Sequence, residues 1–278
     1  MRSYTRREIK VYGQDISFLE AGDGPHSVVL LHGITSDACN WLGTIPALAK
    51  AGFRVIAPDH LGFGSSSKPT LPLRPATLAD MLGAIIHTLG LERPSLVGQS
   101  MGGHVAGILA ARNPERINRL VLSNAGYALA LPTDGEIEDC GHSNVPGALR
   151  LFNPATRAEA KALLEMVFHD KPRFISSESV DKFFALRLAA LDGGSIGSIV
   201  ESWKQHADAL DPLLSKLGMV PTLIIQSEND EVAPKHLGEK LHRDIPGSCF
   251  VLIKNCGHEP ALEATEEYNN ILIGFLQD

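Results

Sequence analysis

The sequence predicts an α/β protein with a doubly wound, mostly parallel eight-stranded sheet and a helical lid inserted after the sixth strand. Short aliphatic runs recur along the chain, and helical patterns lie between most of them. The first two runs alternate between polar and apolar residues, which is typical of an antiparallel pair at a sheet edge. The strand rhythm then stops between Ser123 and Thr222, where amphipathic helical patterns replace it.

The later runs are continuously aliphatic, which suits a sheet covered by helices on both faces. Gly13 and Gln14 separate the first two strands and indicate a hairpin, and Thr156 and Glu159 form a capping-box pattern before a helix of the lid. We predict core segments at 1–125 and 217–278 and a lid at 126–216. The predicted strands are Glu8–Tyr12, Ile16–Glu20, Val28–Leu31, Arg54–Ala57, Ser95–Val97, Leu120–Ser123, Thr222–Gln226 and Cys249–Ile253.

The composition indicates a soluble chain with a small-molecule partner. Of 278 residues, 44% are hydrophobic and 21% are charged, which is enough apolar material for one large core. The formal net charge of -7 and the scattered Lys and Arg residues argue against a nucleic-acid binder. No run approaches the ~20 apolar residues of a membrane span, and no apolar signal core follows the amino terminus. We expect a cytoplasmic protein without a membrane partner, and a homodimer stays open.

The four cysteines do not predict a disulfide framework. They are dispersed and include no Cys-x-x-Cys pair, so free thiols are expected. These residues are Cys39, Cys140, Cys249 and Cys256.

The segment Ser95–Gly103 carries the strongest chemical signal. An apolar strand runs into Gly-x-Ser-x-Gly and then into a helical pattern, and such a turn holds the serine hydroxyl at a strained, exposed tip. The flanking glycines allow strand and helix to approach closely. A second match at Gly193–Gly197 follows a helical run, so we predict Ser195 to be a loop or helix-capping residue. Ser100 is the candidate nucleophile.

A serine nucleophile needs a base and a carboxylate that orients the base. His258 lies in the segment Cys256–Pro260, a loop that follows the last strand at the sheet end where open α/β sheets place their chemistry. Asp230 follows the seventh strand in the same way, with Glu228 and Glu231 as rivals. We therefore predict the order Ser100, Asp230, His258.

Two other strand ends are weaker positions for the acid. Asp59 precedes Ser100 and breaks the chain order expected for this kind of elbow, so we expect it to organise its own glycine loop. Asn124 follows the sixth strand but cannot supply a negative charge. The oxyanion hole is predicted from the backbone N–H groups of Met101 and Ile34, with His32 holding the loop by hydrogen bonding.

The chain resembles the α/β-hydrolase superfamily. The residues that carry the resemblance occur in family order and span nearly the whole chain: His32-Gly33, Asp59-x-x-Gly62-x-Gly64, Gly98-x-Ser100-x-Gly102-Gly103, Asp230 and Gly257-His258. The resemblance implies a serine hydrolase that needs neither a metal nor an organic cofactor. Ser100 departs from the aspartate of haloalkane dehalogenases and epoxide hydrolases, which argues against those reactions.

The resemblance extends to carboxylesterases and to meta-cleavage product hydrolases. In the latter a lid arginine contacts the acidic part of the substrate, and Arg187 is the corresponding candidate. Those enzymes tend to carry asparagine before the serine and tryptophan after the histidine, where this chain has Gln99 and Glu259. We therefore favour a small carboxylic ester or lactone as substrate. Carbon–carbon or carbon–nitrogen hydrolysis of a carboxylated catabolic intermediate is the alternative, and a ligand-sensing receptor stays open.

Several lid and elbow side chains are predicted to contact the substrate, namely Gln99, Arg187, Trp203 and His206. Phe168, Phe183, Phe184 and Trp203 are candidate apolar pocket walls. Each of these residues also has a structural alternative. Arg187 could form a structural ion pair, the aromatic residues could belong to the core of the lid, and His206 could be a solvated surface residue.

Overall fold

The computed structural model describes residues 4–126 and 152–278 and confirms the predicted sheet. Its eight strands lie in the order β1-β2-β4-β3-β5-β6-β7-β8. β2 is antiparallel to both β1 and β4, and the other neighbouring pairs are parallel. The strands are β1 Thr5–Val11, β2 Gln14–Ala21, β3 His26–Leu31, β4 Phe53–Pro58, β5 Ser95–Gln99, β6 Leu120–Ser123, β7 Thr222–Ser227 and β8 Cys249–Ile253.

Helices cover the sheet on both faces. Alternate side chains of β3 enter two separate hydrophobic clusters, with Val28 and Leu30 in one and Val29 and Leu31 in the other, as the two-residue period of a strand requires. The described α-helices are α1 Ile45–Lys50, α2 Pro75–Thr88, α3 Met101–Arg112, α4 Arg157–Val167, α5 Lys171–Phe174, α6 Ser177–Ala190, α7 Gly193–Lys204, α8 Leu214–Leu217, α9 Lys235–Asp244, α10 Pro260–Glu263 and α11 Thr265–Gln277.

The β1–β2 hairpin differs from the prediction by one residue. Its turn consists of Tyr12 and Gly13, and Gln14 already pairs with Val11 inside the sheet. Tyr12 and Gly13 have φ values of 48° and 77°. Two consecutive residues at positive φ give the tight turn whose twist matches the two strands.

Helices α4 to α7 lie between β6 and β7, in the region predicted as the lid. The capping box is present, since Thr156 and Glu159 exchange side-chain and backbone hydrogen bonds at the start of α4. Ser195 corrects the prediction: it lies in the first turn of α7, whose N-cap is Asp192, and is neither a loop nor a capping residue. The lid boundaries remain a prediction, because residues 127–151 and with them Cys140 lie outside the described part.

Two further findings concern the described residues. Cys39, Cys249 and Cys256 are free cysteines. No single helix within 4–126 and 152–278 is long and apolar enough to cross a membrane, whereas α6 and α7, bent by 90°, would pass that test of length and composition as a pair.

Candidate active site

Ser100 occupies the sharp turn between β5 and α3. Its φ is 52° and its ψ is -120°, a backbone conformation that few non-glycine residues adopt. A Cβ atom at Gly98 would lie 2.3 Å from the Gly102 carbonyl oxygen, and one at Gly102 would lie 2.2 Å from that of Leu31. Glycine is required at both positions because strand and helix approach more closely than any side chain permits.

The loop after β3 lies against this turn. A Cβ atom at Gly33 would lie 3.3 Å from the Ser100 Cβ, so the backbone that precedes Ile34 passes directly beside the serine. Met101 begins α3, and the first amides of a helix have no partner in the preceding turn. The amides of Ile34 and Met101 remain the predicted oxyanion donors, since Met101 follows Ser100 in the chain and Ile34 follows the glycine that lies against it.

His32 holds this loop, in agreement with its predicted structural role. The His60 amide donates to His32 Nε2 at 3.0 Å, and His32 Nδ1 lies 2.8 Å from the Gly33 carbonyl oxygen. Nε2 accepts, so Nδ1 carries the proton. Complete burial lowers the pKa of His32, which keeps the ring neutral in this arrangement.

His258 and Asp230 are paired at the carboxyl edge of the sheet. The His258 Nδ1 atom lies 2.8 Å from Asp230 Oδ2, and the two side chains are 6% and 0% exposed. The other Asp230 oxygen accepts hydrogen bonds from the amides of Val232 and Ala233, both at 2.8 Å. The carboxylate is thus fixed by its own loop, which fixes the imidazole in turn.

The environment of His258 favours a proton acceptor. Burial lowers the pKa of the imidazole, but the charge of Asp230 and the hydrogen bond to it raise that pKa, and the net shift is upward from 6.5. A carboxylate on Nδ1 leaves Nε2 as the basic nitrogen of the ring. This is the arrangement that a base for a serine hydroxyl requires.

The rival carboxylates lie elsewhere. Glu228 is exposed, and Glu231 pairs with Lys171 at 3.5 Å. Asp59 is fully buried and accepts from the amides of Ala38 and Ser65 at 2.7 and 2.8 Å. Asp59 therefore organises its own loop, as the sequence predicts.

Asn124 contacts the histidine loop, which sequence reasoning did not foresee. Its Nδ2 donates to the His258 carbonyl oxygen at 3.0 Å, and the Gln99 Nε2 donates to the same oxygen at 3.0 Å. Gln99 is wholly buried, so the structure places this predicted substrate contact against the His258 backbone. The only signal in the sequence was the position of Asn124 directly after a strand.

A cavity of about 700 Å³ lies between helices α4 and α6 and the loops that follow β3, β4 and β8. Thr35 and Glu259 line it, and each directly follows a predicted site residue. Ser100 and His258 are not among its lining residues, and each is 5% exposed. The predicted walls Phe168 and Phe183 also line it, as do these residues of α4 and α6: Leu163, Leu164, Val167, Lys182, Leu186, Arg187, Ala189 and Ala190. Polar loop residues, among them Asn40 and Ser65, form much of the rest of the lining. A second cavity, of about 730 Å³, contains no predicted site residue.

Arg187 lines the first cavity but is engaged with Asp192, which lies between α6 and α7. Its two terminal nitrogens donate to the two carboxylate oxygens of Asp192 at 2.9 and 2.6 Å, and the side chains are 5% and 2% exposed. One terminal nitrogen also approaches the Thr35 carbonyl oxygen at 3.5 Å. The Nε of Arg187 is buried without a hydrogen-bond partner. Arg187 thus borders the cavity as half of a buried ion pair.

Glu259 is the other notable charge beside this cavity. Its Oε2 accepts from Asn40 Nδ2 at 2.9 Å. Burial raises the pKa of Glu259, which the neighbouring His258 and Asn40 counteract in part.

The structure places two other predicted substrate contacts away from the cavity lining. Trp203 is buried, and its Nε1 donates to His104 Nδ1 at 3.2 Å, which connects α7 to α3. His206 lies two residues beyond the end of α7 with a φ of 51°, and it does not line the cavity. Phe184 is likewise absent from the lining. For Trp203 the lid-core alternative fits the contacts.

The described residues contain no group of three or more His, Cys, Asp or Glu side chains that could hold a metal ion.

Fold and site together define a protein of the α/β-hydrolase class, and the chain belongs to the alpha/beta hydrolase fold family, whose model matches residues 26–265. A strained serine at a strand-to-helix turn, with a histidine–aspartate pair at the same sheet edge, is the arrangement that this fold uses for hydrolysis. The protein is a hydrolase of this fold.

Relatives of known name cover nearly the whole chain. The 2-hydroxy-6-oxononadienedioate/2-hydroxy-6-oxononatrienedioate hydrolase 2 of Pseudomonas putida is 28% identical over 94% of this chain and 91% of its own length. The meta-cleavage product hydrolase CumD of Pseudomonas fluorescens IP01 is 26% identical, with a TM-score of 0.83 over 98% of this chain and 97% of that one. A membrane phospholipase A, described as a bacterial virulence factor, is 27% identical, with a TM-score of 0.86 over 99% of this chain and 86% of that one.

Proposed function

We propose that this chain is a serine hydrolase that cleaves a carbon–carbon bond in a carboxylated catabolic intermediate. The observation that carries the hydrolytic part is the buried His258–Asp230 pair beside the strained turn of Ser100. The names of the curated relatives support the carbon–carbon substrate class better than they support the ester class that the sequence favoured.

The proposed chemistry is acyl transfer through Ser100. His258 takes the proton of the hydroxyl as the Ser100 oxygen attacks a substrate carbonyl, and Asp230 stabilises the imidazolium that forms. The amides of Ile34 and Met101 hold the oxyanion. The substrate reacts as its keto tautomer, in which a saturated carbon separates the attacked carbonyl from an unsaturated ketone. The bond from the attacked carbon to that saturated carbon then breaks, its electron pair delocalises into the unsaturated ketone, and the resulting dienolate takes the proton from His258 and leaves as the dienol. Water hydrolyses the acyl-enzyme by the same route.

Arg187 supports the carboxylated class, because it places a guanidinium in the wall of the cavity. Its Nε–H is not used by Asp192 or Thr35 and is a donor that a substrate carboxylate can accept from. The ion pair with Asp192 reduces the net attraction for an anion, so Arg187 would act mainly through directed hydrogen bonds.

Hydrolysis of an uncharged ester or lactone is the second candidate, because two acidic groups specifically favour it. Asp192 neutralises Arg187, and Glu259 adds a carboxyl group to the cavity wall. Both groups disfavour a substrate with several carboxylates. The structural similarity to a phospholipase A, an ester hydrolase by name, agrees with this candidate.

The test compares two substrates with one set of variants. A 2-hydroxy-6-oxo-dienoic acid and p-nitrophenyl butanoate are offered to the wild-type protein and to the Ser100→Ala and Arg187→Leu variants. Ser100→Ala should lower turnover by about 1000-fold or more, and Arg187→Leu should impair the acid alone. Equal activity in wild type and Ser100→Ala would overturn the serine assignment. Turnover of the ester but not of the acid would establish the second candidate, and binding without consumption would support a receptor.

A further inference from the structure

Two amide side chains converge on the backbone of the candidate base. Gln99 Nε2 and Asn124 Nδ2 each lie 3.0 Å from the His258 carbonyl oxygen, and both side chains are fully buried. A carbonyl oxygen has two lone pairs, so one oxygen can accept from both donors. The His258 backbone is therefore held from the β5 side and from the β6 side at once.

The sheet register explains why these two residues reach the same atom. Gln99 at the end of β5 is opposite Ser123 at the end of β6, and Ser123 is opposite Ile225 of β7. Asn124 directly follows β6 with a φ of 45°, a left-handed conformation that asparagine tolerates better than most residues. This conformation ends the strand at the edge where the His258 loop passes.

The Asn124 amide also contacts the end of the next strand, β7. The Ser227 amide donates to Asn124 Oδ1 at 2.8 Å, and Asn124 Nδ2 donates to Ser227 Oγ at 3.0 Å. One side chain thus connects β6, the end of β7 and the His258 loop, which lies 134 residues away in the chain. Both polar atoms of the Asn124 amide have partners, whereas Gln99 Oε1 is buried without one. A buried amide with all of its hydrogen bonds made fixes a single geometry, so Asn124 is the better determined of the two contacts.

We propose that Asn124 is a positioning residue that, together with Gln99, fixes the His258 backbone so that its imidazole lies between Asp230 and Ser100. This inference rests on the proposed serine chemistry. Asp230 restrains the ring of His258 through Nδ1, and the two amides restrain the main chain from which that ring extends. Both restraints are needed because a ring held at one atom can still swing away from the serine.

The direction of the hydrogen bonds gives the proposal a sharp consequence. The end of β6 is a position at which an acid could orient the histidine, so Asn124→Asp would be expected to supply a second acid if the side chain faced the ring. In the structure the Asn124 amide donates to the His258 carbonyl oxygen instead. A carboxylate there would face an acceptor and lose the bond, so Asn124→Asp should impair the site and should not rescue Asp230→Asn.

The experiment measures labelling of Ser100 by a fluorophosphonate as a function of pH, which requires no knowledge of the substrate. Asn124→Ala and Asn124→Asp should lower the labelling rate by about 10- to 100-fold, the cost of a displaced catalytic group. Asn118→Asp is the control: it makes the same change at the amino-terminal ends of β5 and β6, where the Asn118 amide donates to Ser95 Oγ. It should label like the wild type.

The outcomes separate this inference from the proposed function. If the wild-type protein is not labelled, or Ser100→Ala is labelled equally, the serine assignment fails. If the wild type is labelled and folded Asn124 variants, checked by thermal unfolding, keep the wild-type rate and pH profile, Asn124 has no positioning role. Faster labelling of Asn124→Asp/Asp230→Asn than of Asp230→Asn alone would also overturn the inference, because it would show that residue 124 faces the ring.

Discussion

The ion pair between Arg187 and Asp192 makes a quantitative prediction about stability. Both side chains are almost completely buried, at 5% and 2% exposure, and they share two hydrogen bonds. Asp192→Asn removes the negative charge but nearly preserves the shape, so it leaves a buried guanidinium uncompensated. Such a change costs about 3–5 kcal/mol of unfolding free energy. Asp192 is also the N-cap of α7, but its side chain makes no capping hydrogen bond there, so loss of a cap does not contribute.

Urea unfolding of three variants tests this magnitude. Asp192→Asn should lose about 3–5 kcal/mol, and adding Arg187→Met should recover most of the loss because the second change removes the uncompensated charge. The control is Asp181→Asn, which breaks the pair of Asp181 with Arg157, where the side chains are 59% and 47% exposed. An exposed pair contributes no more than about 1 kcal/mol. Equal losses in Asp192→Asn and Asp181→Asn would refute the reasoning.

The same substitution tests how the cavity discriminates charge. In Asp192→Asn the Arg187 guanidinium is no longer neutralised, so anionic substrates should gain affinity relative to neutral ones. The assay compares kcat/KM for the p-nitrophenyl ester of butanoate with that for the p-nitrophenyl hemisuccinate, which adds a carboxylate. We expect the ratio to shift towards the hemisuccinate by about tenfold. An unchanged ratio would mean that Arg187 does not meet the acyl part of these esters.

Three other predictions follow from single positions. Gly102→Ala should lower the free energy of unfolding, measured in urea, by about 3 kcal/mol or more, because the added Cβ would overlap a backbone carbonyl of β3. The control is Gly194→Ala, whose Cβ would meet nothing within 4 Å and which should raise the free energy of unfolding by up to about 1 kcal/mol. Burial lowers the pKa of His104 from 6.5 to about 4, so between these pH values the unfolded chain binds a proton that the folded chain does not. The free energy of unfolding should therefore fall by up to about 3 kcal/mol as the pH drops from 6.5 to 4. In unfolding measured as a function of pH, His104→Gln should flatten this slope. The pH–rate profile of kcat/KM should rise through the pKa of His258, above 6.5, and Asp230→Asn should move the inflection to lower pH; no movement would contradict the pairing.

The prediction of the sheet succeeded because its signals are local. Each strand is an aliphatic run, and each has the residue period of a covered or half-covered strand. The errors are local as well. The hairpin turn lies one residue earlier than predicted because Tyr12 adopts a positive φ, which is uncommon for tyrosine and is not indicated by its residue type. Ser195 became part of α7 because Asp192, three residues earlier, serves as the N-cap.

The site shows where local signals end. The sequence predicted that Gln99 contacts substrate from its place beside the serine, but the direction of a side chain depends on what surrounds it, and here the His258 backbone does. The resemblance to enzymes with a lid arginine predicted that Arg187 contacts the substrate. In the structure the Arg187 guanidinium is hydrogen-bonded to Asp192, which lies where the chain passes from α6 to α7. Trp203 was a candidate pocket wall, and its contact with His104 comes from the packing of α7 on α3.

The sequence by itself determined three things: the succession of strands and helices along the chain, the strained turn at Ser100, and the loops after β7 and β8 that carry the acid and the base. These are set by glycine positions and strand periods, which are properties of neighbouring residues. Only the tertiary structure decided which side chains meet at the sheet edge. Asn124 and His258 are far apart in sequence, and their contact exists because the parallel register brings the ends of β5, β6 and β7 to one level. That register is set by the packing of the whole sheet, which no short segment encodes.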